Sequence, residues 1–260
     1  MTEAHIPTFA PEVIGHIGSV SITNTMINAW IAMIIFLFFG LFLVKRIALR
    51  PGRLQNGCEY FLEGLFGYLD QVTGGRKETL RFLPIVGSVF FFILLSNWLG
   101  LIPGTGSITA GHAPLLRPAN TDLNLTVAMA LVSVIASHIF AFGTIGFFAH
   151  ANKFIQIGTL VKAVKHGPIG IFTALVECMV GIIEIVGEMA KVVSLSLRLF
   201  GNIFAGEVLI SVISSLVAFL VPAPFMLLEL LVGLIQASVF AMLTTVYLTV
   251  ATSAPHGAEQ

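Results

Sequence analysis

The sequence predicts an all-α polytopic membrane protein of about six helices, one of them amphipathic at the interface and the last two forming a long, strongly tilted C-terminal hairpin. Three observations carry this. Of 260 residues, 57% are hydrophobic and 10% charged, where a soluble domain carries roughly 25% charged residues. Five apolar runs approach or exceed the length that crosses a hydrocarbon core of ~30 Å. Between the first two lies a segment whose apolar side chains keep to one helical face.

The whole chain, 1–260, reads as a single membrane domain. Residues 1–26 form an external N-terminal segment with no basic n-region, so a cleaved signal peptide is not expected. "INAWIAMIIFLFFGLFLV", 27–44, is the first spanning helix, closed by Lys45, Arg46, Arg50 and Arg53. In 55–73, Cys58, Leu62, Leu65, Phe66, Leu69 and Val72 share one face, with Glu59, Glu63 and Asp70 opposite. That pattern suits a helix lying in the interface. The second span is 82–102, followed by a Gly/Pro/Ser/Thr loop, and the third is 123–149. A second polar connection leads to 169–220, which no proline interrupts, and the last helix covers 225–250 after "VPAP". About 50 helical residues are ~75 Å long, so the penultimate helix must tilt or bend strongly to stay within ~30 Å of hydrocarbon.

Net charge is zero, and no basic face points to nucleic acid. No "GxxxxGK[ST]" occurs, so no nucleotide is expected on this chain. Cys58 and Cys178 sit alone and suggest neither a disulfide framework nor a metal site; no cofactor is expected. Ten of the 13 Lys and Arg fall in two groups, 45–81 and 153–165. The positive-inside rule puts both on the cytoplasmic side, with the N-terminus outside and the C-terminus inside. Arg117 alone falls in an outer loop, while Lys191 and Arg198 lie in apolar sequence. A bacterial plasma membrane is the expected location.

At 100° per residue, Glu184, Glu188, Lys191, Arg198 and Asn202 lie within roughly 40° of one line, and Glu177 joins it further back. Glu207 points about 140° away from Glu184. On the last helix Glu229 and Gln236 share a face. Ionisable groups within membrane helices mark ion paths and proton relays. The bland reading is that Lys191 neutralises Glu188 or Glu184. It does not extend to Arg198, whose nearest acid on its own face, Glu188, is ~15 Å away along the helix. Its counter-charge must come from another helix or another chain. His138 and Asn97 read as interhelical hydrogen-bond partners.

"SLSLRLFGNIFAGE", 194–207, closely resembles the signature of subunit a of F-type ATP synthases. "LSNWLGLIPG", "PANTDLNLTVAMAL" and "LIQASVFAMLTTVYLTVA" resemble other parts of that family in the same order, so the likeness covers roughly 25–252. The resemblance implies a stator subunit with two aqueous half-channels and no catalysis of its own. Its implied partners are a c-ring, the peripheral-stalk subunit b and the lipid bilayer. Arg198 takes the place of the family's essential arginine facing the c-ring. Glu207 and Glu229 match positions of the outer half-channel, where the family often has one carboxylate and one histidine. Asn202 and Gln236 match polar positions near the arginine, and Asp122 an acid at the outer mouth. Glu184 matches a position of the inner half-channel. Glu188, Lys191 and Glu177 are assigned to the same inner path, although the family offers Glu177 and Glu188 no firm role. Two other classes compete. An independent ion-coupled secondary transporter or antiporter predicts an internal repeat, which is not evident. An intramembrane hydrolase predicts a nucleophile and base at membrane depth.

Overall fold

The computed structural model describes residues 8–48, 52–102, 109–110, 113–147, 150, 167–217 and 221–253. Arg50, Lys153, Lys162 and Lys165, used in the orientation argument, lie outside these. Among the described residues, six α-helices run in order: α1 (Asn24–Arg46), α2 (Arg53–Thr73), α3 (Arg76–Gly100), α4 (Leu123–Ile145), α5 (Gly167–Leu216) and α6 (Pro222–Thr252). Five of them, all but α2, are long and apolar enough to cross a membrane. The chain is a multi-pass α-helical membrane protein.

Two small antiparallel ladders lie beside the helices. β1 (Val13–Ile17) pairs with β2 (Val20–Thr23), turning at Gly18 with φ 64°. β3 (Thr109–Ala110) pairs with β4 (Ala113–Pro114). A single 3₁₀ turn, Ala119–Thr121, follows, and Asp122 caps α4.

Helix ends depart from the hydropathy pattern for local reasons. α3 begins at Arg76, ahead of its apolar run, because a polar first turn with Glu78 suits the positive helix N-terminus. α2 hands over to it through Gly74 in the left-handed region, whose N–H bonds the Asp70 carbonyl. α4 stops at Ile145, since Gly146 takes φ 91°. α6 starts at Pro222, inside "VPAP": a proline fits the first helical turn, where its missing N–H would have no partner.

The core gathers Leu69 of α2, Phe82, Phe90 and Ile93 of α3, Leu195 and Leu199 of α5, and Phe240 and Leu248 of α6, all nearly fully buried. The outward faces carry large apolar side chains such as Leu37, Phe38, Ile139, Ile183 and Leu231. A surface that apolar requires lipid or protein against it. Cross-contacts set the directions: Asn202 meets Gln236 and Lys191 meets Tyr247, so α5 and α6 are antiparallel. Glu188 meets His138 and Glu207 meets Arg117, so α4 also runs antiparallel to α5.

Candidate functional site

Arg198 sits midway along the polar stripe of α5. Leu195 and Leu199 beside it turn into the core, while Ser194, Leu197 and Gly201 face outward. The guanidinium is therefore at the edge of the bundle, half-buried. It donates from Nη2 to Ser194 Oγ at 3.3 Å. Among the described residues it makes no ion pair with a carboxylate within 4.0 Å. The exposed face around it is lined by small side chains, Ala190, Ser194, Gly201 and Ala205. Small residues let another helix come close.

Towards the C-terminal end of α5, polar groups meet α6. Asn202 donates to Gln236 Oε1 at 2.8 Å. Gln236 Nε2 is closed off from solvent with no hydrogen-bond partner among the described residues. A cavity of about 440 Å³ opens here, lined by Asn202, Ala205, Gly206, Leu209, Glu229 and Gln236 among others. Glu229 is buried and makes no ion pair among the described residues. It packs where Gly206 leaves room: a Cβ at 206 would collide with its carboxylate. Gly206 is thus a close-approach glycine, and the acid occupies the space of its missing side chain.

Glu207, one residue on, turns the other way. Both its oxygens accept from Arg117 Nε, at 2.9 and 3.0 Å. Arg117 is not a solvated loop residue: it is only 4% exposed. Its Nη2 donates to the Thr8 carbonyl at 2.8 Å and its Nη1 to the Ala10 carbonyl at 3.3 Å. Asn28 of α1 donates to the Arg117 carbonyl at 2.8 Å. The sequence did hold a clue to this pair. Arg117 is the lone cation of the outer loops, and Glu207 is the acid that points off the stripe. Asp122 is buried too, capping α4 through Asn124 N at 2.9 Å and accepting from Thr25 Oγ1 at 3.2 Å. It fastens α1 to α4.

At the other end of the stripe, Lys191 donates to Glu188 Oε1 at 2.6 Å and lies over the Tyr247 ring at 5.2 Å. The pair is thus Glu188–Lys191. Glu184 lies half-buried one turn further along. Glu188 Oε2 is 3.6 Å from His138 Nε2, and His138 Nδ1 is 3.1 Å from His150 Nε2. The partner of His138 is His150, 12 residues on, which the sequence did not single out. The side chain of Glu177 lies outside the described residues. Asn97 donates to the Gly233 carbonyl of α6 at 3.3 Å and accepts from Asn120 at 2.7 Å. Among the described residues, no group of three His, Cys, Asp or Glu side chains is placed to hold a metal ion.

The structure thus brings Asn202, Gln236 and Glu229 together, and separately Glu188, Lys191 and His138. Arg198 stands between the two groups without joining either.

Fold and site together define a polytopic α-helical membrane protein that keeps charged groups inside its spanning helices. Its family follows from comparison with known proteins: the chain belongs to the ATP synthase A chain family, whose model matches residues 26–249. It is 34% identical to an ATP synthase subunit a of Moorella thermoacetica over 92% of this chain and 94% of that one. It is 34% identical to an ATP synthase subunit a of Syntrophobacter fumaroxidans, over 91% and 87% of the two chains. Against that of Gloeobacter violaceus the identity is 33%, over 86% and 81%.

Proposed function

We propose that this chain is the stator subunit of a rotary ATP synthase and conducts protons to and from a ring of carboxylates on partner subunits. The observation that carries the reading is Arg198. It is a cation at the edge of a membrane bundle, beside small exposed residues, with no carboxylate within ion-pairing distance among the described residues. A fixed charge in that position calls for an acid supplied from outside the chain. A small two-helix ring subunit, presenting one carboxylate per copy, fits the flat face of Ala190, Ser194, Gly201 and Ala205.

The chemistry then follows from charge and solvation. A carboxylate crosses hydrocarbon only when neutral. Near Arg198 its ionised form is favoured, so it sheds its proton there and takes another before re-entering lipid. The Asn202, Gln236 and Glu229 cavity serves the outer half-channel, to which Glu207 and Asp122, outside its lining, also belong. The cluster of Glu184, Glu188 and Lys191, with Glu177 on the same helix, serves the inner one. Arg198, between them, opposes a direct proton wire, as a fixed cation does in other selective pores. The chain is oriented with its N-terminus outside in a bacterial plasma membrane, and subunit b of the peripheral stalk holds it against the ring.

Glu229→Gln keeps the shape of the buried side chain and removes the group that exchanges a proton. ATP-driven proton pumping in inverted vesicles is expected to slow by about tenfold. That is less than the ~10²–10⁴ of a positioned acid–base group, because water still fills the cavity. Unchanged flux would remove Glu229 from the path. Purification offers a second check: the chain should come out with a small proteolipid ring. A lone chain with transport activity would mean an independent transporter.

A further inference from the structure

The two histidines at the far end of the stripe have no part in the account so far. The geometry points to a proton-exchange pair formed by His138 and His150 at the inner end of the ion path, with Glu188 as its counter-ion. This rests on the rotary reading above.

The two rings are held for proton sharing. His138 Nδ1 and His150 Nε2 are 3.1 Å apart, a distance at which one proton must lie between two ring nitrogens. His138 Nε2 points the other way, 3.6 Å from Glu188 Oε2. That oxygen is shielded from solvent and has no hydrogen bond within 3.5 Å among the described residues, since Lys191 binds Oε1. The carboxylate is thus divided between a permanent cation and an imidazole that is charged only when it carries an extra proton. His150 is only 5% exposed and His138 half-buried. A purely structural fastening of α4 would not need two titratable rings in line with an acid.

Among the described residues, these charged and titratable groups lie around the pair. Glu188 and Lys191 face the pair from α5, and Tyr247 of α6 lies under Lys191. From α3, Arg81 reaches the Phe140 ring at 5.6 Å, close to His138 on α4, and itself pairs with Glu78 at 3.8 Å. Phe142 meets His150 edge-on at 5.1 Å.

The transfer balances. A proton arriving from the Glu188 side bonds to His138 Nε2. The Nδ1 proton of His138 passes to His150 Nε2, and His150 releases its own Nδ1 proton to water. Each N–H formed is matched by one broken, and one proton has crossed the pair. Ring rotation or exchange through water restores the first tautomer. Protonating both rings would remove the lone pair that accepts the shared proton, so conduction should fall at acid pH.

The test uses the assembled synthase in inverted vesicles, with proton flux measured from about pH 5 to 9 beside an Arg198→Ala control. The wild type is expected to show an inflection in that profile. His138→Gln and His150→Gln should lower flux about tenfold near neutral pH and abolish that inflection, again below the full ~10²–10⁴ of an acid–base group. Flux unchanged in both variants overturns the inference, as does a uniform drop with the inflection intact. A wild-type profile without inflection overturns it with no variant at all. Should Gln at either position prevent assembly, Glu188→Gln leaves both rings and removes their counter-ion, so the inflection must move; an unmoved one overturns the inference. If Arg198→Ala is inactive while the histidine variants pump normally, only this inference falls. If Arg198→Ala pumps, the rotary reading falls.

Discussion

Arg198→Ala is expected to abolish both ATP-driven proton pumping and ATP synthesis while leaving the complex assembled. Assembly survives because Arg198 makes only a hydrogen bond to Ser194 within the chain, at 3.3 Å. Removing it orphans no carboxylate among the described residues. The functional loss comes from the ring side. An opposite charge within about 4–6 Å favours an ionised carboxylate by roughly 1.4–4 kcal/mol. A membrane potential supplies only about 2.3 kcal/mol per charge per 100 mV. On the proposed function, losing Arg198 removes a bias of the same size as this driving force, so the ring acid stays protonated through the contact. Arg198→Lys keeps a cation but loses the planar, weakly hydrated fork, so it should also be impaired. Removing the cation also removes the barrier between the two polar clusters, so passive proton leak should rise. The measurement is quenching of a pH-sensitive dye in inverted vesicles, with subunit content checked on the same membranes. Pumping at the wild-type rate in Arg198→Ala would overturn the proposed function.

The spanning helices were legible because hydropathy adds up over many residues and tolerates local exceptions. Their ends were not, because each is decided by one or two residues. Gly146 ends α4 through a left-handed backbone, and Pro222 opens α6 where it reads as a turn. The hairpin at Val13–Thr23 is a different case. Its Gly18–Ser19 turn between apolar-containing strands is a recognisable hairpin signal, yet it is masked in a chain whose composition speaks of helices. The candidate site divides in the same way. The isolation of Arg198 can be read from helical projection, because it concerns one helix. The Arg117–Glu207 pair joins residues 90 positions apart and depends on how α5 meets the segment before α4. No periodicity reports such a contact. The sequence places Arg117 only in an outer loop, whereas its burial comes from Glu207 of α5 and the Thr8 and Ala10 carbonyls that it binds.

Arg117→Ala is expected to be strongly destabilising. Arg117 is 4% exposed and Glu207 18%, so truncating the arginine takes its guanidinium partner from a carboxylate that is largely out of water. Breaking a buried pair by removing one partner costs about 3–5 kcal/mol. The same change releases the Thr8 and Ala10 carbonyls and removes a guanidinium stacked 5.8 Å from the Phe204 ring. Heat inactivation of the purified complex should therefore begin several degrees lower, and less of the subunit should assemble. Glu207→Gln should cost less, since the amide oxygen can still accept from Arg117 Nε and the Thr8 and Ala10 carbonyls still hold the guanidinium. The diagnostic comparison is the double variant Arg117→Ala/Glu207→Gln. It should be more stable than Arg117→Ala alone, with a coupling of about 1–3 kcal/mol for groups in contact. Strictly additive effects would mean the pair carries no weight. The outcome also separates two carboxylates that sequence reasoning treated alike. On the proposed function, Glu207, held by a guanidinium, acts mainly in fastening α5 to the segment before α4. Glu229, which lines the cavity, is then the carboxylate expected to trade protons. Substitutions at 207 should therefore act mainly on assembly and heat stability, and Glu229→Gln mainly on proton flux.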